Sequence, residues 1–225
     1  MTTTTPFQNL NFADHELPNG IDSEKIVVRN LSESKRAASF RILRHKVTQK
    51  DGLQSLLVTS PTQSCGKSFV ALNLALALSE QSKRPTLLME ANAPHQSLAS
   101  LLRFEPPECL LEQCNKNKNT TSPEWNLVDL KGFNLHIAAL SVNQKHYWPT
   151  MDLFTSALDD LKTKGYEHIV IDGGQVLNSP NANLIQEHVD GVLMVVKAKS
   201  SKESDIIEAA KQLGDEKILG STLVD

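Results

Sequence analysis

"LVTSPTQSCGKSFVALNLALAL", residues 57–78, decides how the chain is read. An apolar run stops at Ser60-Pro61, four residues lead to Gly66-Lys67-Ser68, and a second apolar run of helical length follows. A phosphate-binding loop needs a strand that ends sharply, inward-facing amides, and a helix whose positive N-terminal end faces the phosphates. Leu56-Leu57-Val58-Thr59 supplies the strand, and the helix starts at about Gly66. Gly66 lets the backbone approach closely, Lys67 reaches the β and γ phosphates, and Ser68 offers a magnesium ligand. The residues expected around the phosphates are Thr62, Gln63, Ser64, Cys65, Gly66, Lys67, Ser68 and Phe69. One residue breaks the pattern: Pro61 stands where G-x-x-x-x-G-K-[ST] has its first glycine. Proline holds φ near −65°, so this loop either takes a different path or does not bind.

Outward from the loop, short apolar strands alternate with helical stretches. "TLLMEA" (86–91), "FNLHIAAL" (133–140), "HIVID" (168–172), "GVLMVVKA" (191–198) and "KILGSTLV" (217–224) read as strands. Residues 68–82, 151–164, 181–189 and 201–213 read as helices. Before the loop, "SESKRAASFRILRHKVTQ" places Ala38, Phe40, Leu43 and Val47 at helical spacing, which predicts an amphipathic helix. Near-continuous apolar strands between helices mean a mostly parallel, doubly wound α/β sheet in one domain. Residues 1–30, rich in Thr, Asn, Asp and Pro, read as a flexible arm ahead of a domain spanning 31–225. The polar segment 105–131 reads as the longest irregular stretch.

Composition excludes several classes. A chain of 225 residues with 40% hydrophobic and 22% charged residues fits one ordinary core. A formal net charge of −3 gives no general attraction to nucleic acid or to an anionic membrane. No run reaches the roughly 18 apolar residues of a membrane span, so a cytoplasmic protein is expected. Three cysteines make no disulfide framework, and Cys109 and Cys114 lack a second ligand pair for zinc. Asp172, ending "YEHIVIDGG", fits an acid that binds magnesium through water at the end of a neighbouring strand. His95 in "NAPHQSL" either faces the site or is plain loop. Trp125, Tyr147 and Trp148 flank loops without a basic patch, which argues against nucleic-acid stacking.

Taken together, these motifs resemble the bacterial tyrosine kinases of capsule and exopolysaccharide assembly, in the deviant P-loop group that includes the MinD and ParA ATPases. The family's loop resembles "TSPTPGEGKS", and "TSPTQSCGKS" (59–68) keeps its length and its Ser-Pro. "YEHIVIDGGQVLNSPNANLIQEHVDGVLMVVKA" (166–198) is similar to "YDYVIIDTPPVL…D…LAPLVDGVLLVVRA". MinD and ParA proteins carry an extra lysine early in the loop, where Thr62 stands here. The resemblance implies ATP or ADP with Mg2+, with Lys67, Glu90 and Asp172 as catalytic residues and Ser68, Asp172 and Glu90 around the metal. It also implies a homo-oligomer made through Arg41 and Arg44 of an E-x-x-R-x-x-R signature. A membrane-bound polysaccharide co-polymerase, or chain-length regulator, is the implied partner and would bring the protein to the inner membrane.

The departures concern turnover. The family's Asp-Ala-Asp after the second strand is Glu90-Ala91-Asn92 here. Glutamate carries its charge about 1.5 Å further out, and a misplacement of about 1 Å can cost on the order of a hundredfold in rate. Asn92 loses charge and basicity. Ala38 replaces the signature's glutamate, and the family's tyrosine-rich stretch has no counterpart in this sequence, whose only tyrosines are Tyr147 and Tyr166. Phosphoryl transfer depends on positioning and charge neutralisation, so binding should survive better than catalysis. The expected function is a nucleotide-binding, kinase-like regulator of exopolysaccharide synthesis or export with weak or lost catalysis. The alternatives are an active tyrosine kinase or ATPase, and a MinD-like positioning ATPase. The last would want a basic amphipathic membrane helix, whereas "KESDIIEAAKQLGDEK" (202–217) is balanced in charge.

Overall fold

The computed structural model describes residues 6–18, 24–95, 98–142, 150–214 and 216–225, so Tyr147 and Trp148 lie outside the described residues. In chain order the elements begin with β1 (Leu10–His15), α1 (Val27–Asn30), α2 (Lys35–Thr48), β2 (Ser55–Ser60), α3 (Lys67–Ser79) and β3 (Thr86–Glu90). They continue with α4 (Leu98–Leu102), α5 (Leu110–Asn117), β4 (Trp125–Leu130), β5 (Leu135–Ala138) and α6 (Met151–Thr163). The last are β6 (His168–Gln175), α7 (Pro180–Ile185), β7 (Gly191–Lys197), α8 (Glu203–Leu213) and β8 (Ile218–Val224).

The strands form one sheet in the order β1-β4-β5-β3-β6-β2-β7-β8. Every pairing is parallel except β4 with β5. Because successive side chains of a strand point to opposite faces, Leu56 and Val58 of β2 enter one core and Leu57 the other. The first core lies under α1, α2 and α3, and the second under α5, α6, α7 and α8. α3 is apolar on most faces because it is buried on most faces, wedged between the sheet and α2. Its one wholly buried carboxamide, Asn73, accepts from the Val28 amide and donates to the Lys25 and Phe69 carbonyls, which ties α1 down.

Two sequence expectations need correction. Within the segment read as a flexible arm, Leu10–His15 forms β1, paired in parallel with β4 from Leu10↔Trp125 to His15↔Leu130. As an edge strand it is only partly covered, so "LNFADH" shows no regular alternation to reveal it. Val27 and Val28 of α1 are buried as well. Likewise, the polar stretch 105–131 contains α5 and β4. α5 buries only Leu110, Gln113 and Cys114, too short a stripe to announce a helix. A smaller difference falls in α2, where Ala37 and not Ala38 joins Phe40 and Val47 in the core. Trp125 is buried at the start of β4, its indole donating to Asp160 Oδ2 at 2.7 Å, so it is no stacking platform.

Candidate nucleotide site

The chain passes from β2 through α3 to β3, yet β6 lies between those two strands. Such a reversal opens a crevice at the carboxyl ends of parallel strands, where ligands of α/β folds bind. The loop 61–66 sits at that crevice. Pro61 is buried at the strand end and its carbonyl accepts the Leu177 amide at 3.1 Å, so it serves to continue pairing with β6. The left-handed backbone occurs at Ser64 (φ 58°) and at Gly66 (φ 85°), the residue capping α3. The first amides of α3 have no partner within the helix, as at any helix start, and they face the crevice with the positive end of the helix dipole.

A cavity of about 530 Å3 occupies this position. Of the eight expected loop residues, Gln63, Ser64, Gly66, Lys67, Ser68 and Phe69 line it. Thr62 and Cys65 turn inward instead, with the Cys65 thiol 3.6 Å from Thr62 Oγ1 and 3.8 Å from Ser201 Oγ. Burial pushes this thiol up, but hydrogen bonds from Thr62, Ser201 and Ser60, together with the charge of Lys67, leave it below the usual cysteine range. Lys67 is largely buried and donates to Ser60 Oγ at 3.1 Å. Burial lowers its pKa, and the negative charges of Asp172 and Cys65 oppose that fall.

The far walls come from the segment after β3, with Asn92, His95 and Leu101, and from the end of β6 and the segment beyond it, with Gly174, Gln175, Asn178, Ser179 and Asn181. His95 and Gln63 are joined, Nε2 to Nε2, at 2.8 Å. The exit of β6 needs glycine: a Cβ on Gly173 would lie 2.5 Å from Leu57 Cδ1 and 3.1 Å from the Val58 carbonyl oxygen. There the register shifts between Val58 and Ser60, and Thr59 Oγ1 donates to the Gly174 carbonyl at 2.7 Å.

The two acids are not cavity residues. Glu90 and Asp172 are register partners on β3 and β6 and both are fully buried. Glu90 Oε1 accepts the Leu98 amide at 3.1 Å and Oε2 the Leu140 amide at 3.0 Å. Its carboxylate therefore ties the start of α4 to the chain leaving β5. Asp172 acts on Lys67 as a negative neighbour. Magnesium is usually held through one or two carboxylates plus substrate phosphates. Here Ser68 offers a hydroxyl, but among the described residues no carboxylate lines the cavity and no three His, Cys, Asp or Glu side chains converge. Of the expected metal set of Ser68, Asp172 and Glu90, Ser68 lines the cavity, while Glu90 and Asp172 stand side by side behind its wall.

Arg41 and Arg44, expected at an oligomer interface, both reach Glu80 of their own chain. Arg41 forks onto its two oxygens at 3.0 and 2.7 Å, and Arg44 donates to Oε2 at 2.9 Å and to the Ala77 carbonyl at 2.7 Å. Sequence reading left His95 undecided and passed over Asn178, Ser179 and Asn181. Their position just past the carboxyl ends of β3 and β6 was the available signal.

No family model and no curated protein sequence matches the chain. Its fold is that of solved P-loop structures. The chimerical protein CapA2B2 superposes with a TM-score of 0.76 at 19% identity, over 97% of this chain and 93% of that one. The BceF tyrosine kinase domain gives 0.68 at 23%, over 88% and 81%. The septum site-determining protein MinD from Pyrococcus horikoshii, complexed with Mg-ADP, gives 0.62 at 20%, over 76% and 69%. The chain therefore has a MinD/ParA-like P-loop NTPase fold in a single domain, and its structural neighbours include bacterial tyrosine kinase domains. Among the described residues, no helix is long and apolar enough to cross a membrane.

Proposed function

We propose that this chain is a nucleotide-binding, tyrosine-kinase-like P-loop protein with weak or lost catalysis. It acts in the cytoplasm as a regulator of exopolysaccharide or capsule synthesis or export, at the inner membrane through a co-polymerase partner. One contrast carries the reading. The binding half of the site is kept, with Lys67 at the mouth of α3 beside Asp172. The half that would take the acceptor's proton is altered: Glu90 is bonded into the backbone, and Asn92 lines the cavity where the similar family carries an aspartate. A carboxamide is not a general base, so ATP would be held more readily than turned over. Tyr166 is fully buried and is not available as a phosphate acceptor in the folded chain. The partner and self-assembly through Arg41 and Arg44 follow from the motif resemblance and belong to this proposal.

The test is titration calorimetry with ADP and ATP on the intact chain and on Lys67→Ala, with phosphate release followed for hours in the same samples. Binding that Lys67→Ala weakens about a hundredfold or more, with release at background, is the expected result. Steady release that Asp172→Ala removes would instead make the chain an ATPase or kinase. Failure to bind either nucleotide would overturn the reading.

A further inference from the structure

Resting on the nucleotide reading above, we propose that this site takes the phosphates of a nucleoside di- or triphosphate without a divalent cation. The carboxamides of Gln63 and Asn92 and the imidazole of His95 would meet the phosphate oxygens where a metal and its waters would otherwise lie. The donor set carries the argument. Every polar side chain lining the cavity other than Lys67 is a hydroxyl, a carboxamide or an imidazole. Carboxamide nitrogens donate hydrogen bonds and suit phosphate oxygens directly, whereas a hard, reluctantly dehydrated cation such as Mg2+ favours charged oxygen ligands.

Neither acid at this end of the sheet lines the cavity. Recruiting Glu90 would break two hydrogen bonds and strand the Leu98 and Leu140 amides, and buried donors left unmade are expensive. Asp172 is fully buried and does not line the cavity, and its negative charge favours the charged form of Lys67. With Lys67 and the amides at the start of α3, the described residues facing the cavity are positive or neutral and none is negative. That is the electrostatics of an anion site. On the opposite wall, the Asn92 Oδ1 approaches the glycine pair at the exit of β6, 3.6 Å from where a Gly174 Cβ would be. The Gln63–His95 contact meanwhile joins the phosphate loop to the segment after β3, so both walls present groups at the mouth.

The experiment is titration of the 225-residue chain with ADP and with ATP, in excess magnesium and in excess EDTA. Because magnesium competes for the phosphates in solution, affinity in EDTA is expected to equal or exceed that in magnesium, within about threefold. A loss of about tenfold or more in EDTA overturns the inference while leaving the nucleotide reading intact. Binding in neither buffer overturns the nucleotide reading itself. Asn92→Asp, a half-exposed position that should fold normally, is expected to weaken binding in EDTA about tenfold and to restore a preference for magnesium. If that variant binds like the parent in both buffers, Asn92 does not face the phosphates and the inference fails. Mn2+ paramagnetic resonance with ADP gives a readout independent of affinity: the spectrum should match that of Mn-ADP alone, and a protein-broadened one would overturn the proposal.

Discussion

Pro61 drew attention as the residue that breaks the phosphate-loop pattern, but the backbone asks nothing unusual of it. The strained position is Ser64, at φ 58°, where the similar family motif "TSPTPGEGKS" has glycine. A side chain in the left-handed region costs about 1–2 kcal/mol, and part of that is regained on mutation to glycine, less the added freedom of the unfolded chain. Ser64→Gly should therefore stabilise the protein by roughly 0.5–1 kcal/mol, with Ser64→Ala giving no gain; urea melts of the two variants decide it. Glu90 is the second residue whose role differs from its motif. It looks like a displaced catalytic acid in the sequence, while the structure uses both its oxygens on backbone amides. Glu90→Ala leaves two buried donors without acceptors and should cost on the order of 2–4 kcal/mol. A melting curve that matches the parent would show the bracket to be unimportant.

At the scale of elements, α2 is pinned to α3 by one carboxylate holding two guanidinium groups. Glu80 accepts from Arg41 and Arg44, and the hydrogen bond from Arg41, reinforced by the charges of both arginines, holds its pKa below the usual glutamate range. Arg44 is largely buried, so Glu80→Gln leaves a cation in a poor environment and should cost about 1–3 kcal/mol. Thermal melts at neutral pH check this, and an unchanged midpoint would mean the pair is only a surface ornament. The arginines were visible in the sequence as a spaced pair, but their partner lies 36 and 39 positions further on and carries no motif. The same physics decides which elements were legible. β2, β3, β6 and β7 are buried on both faces and read as unbroken apolar runs. β1 is only partly covered and α5 buries a short stripe, so tertiary pairing places them without a local pattern. In the site, the loop was legible because its chemistry is contiguous. The carboxamide wall was not, since Asn92, Gln175, Asn178 and Asn181 converge only when β3 and β6 lie side by side.

Across the whole molecule, the cavity lies at the carboxyl ends of the central strands, while the chain's first strand closes one distant edge of the sheet. That edge is held by main-chain bonds, Phe7 N to Lys164 O at 2.8 Å and Trp125 N to Asn9 O at 3.0 Å, and by a cluster of rings. Phe7 and Phe12 pack on His136, Phe7 also meets Tyr166, and His136 Nδ1 is hydrogen-bonded to the Tyr166 hydroxyl at 3.0 Å. Burial among these rings lowers the His136 pKa to about 4; the nearby charge of Asp129 opposes the fall and that of Lys131 assists it. The unfolded chain, with an ordinary histidine near 6.5, binds this proton more readily than the folded one. The contribution is thus complete above about pH 6.5 and is lost as the pH falls through the window down to about 4, reaching roughly 2–3 kcal/mol at its lower end. His136→Phe keeps a ring in the cluster and removes the titration. Urea melts of both proteins from pH 7 to pH 4 should therefore give stability curves that diverge steadily, with the parent falling faster. Carboxylates elsewhere titrate equally in both proteins, so the difference between the curves isolates His136. Parallel curves would mean that acid loosens this edge of the sheet by some other group.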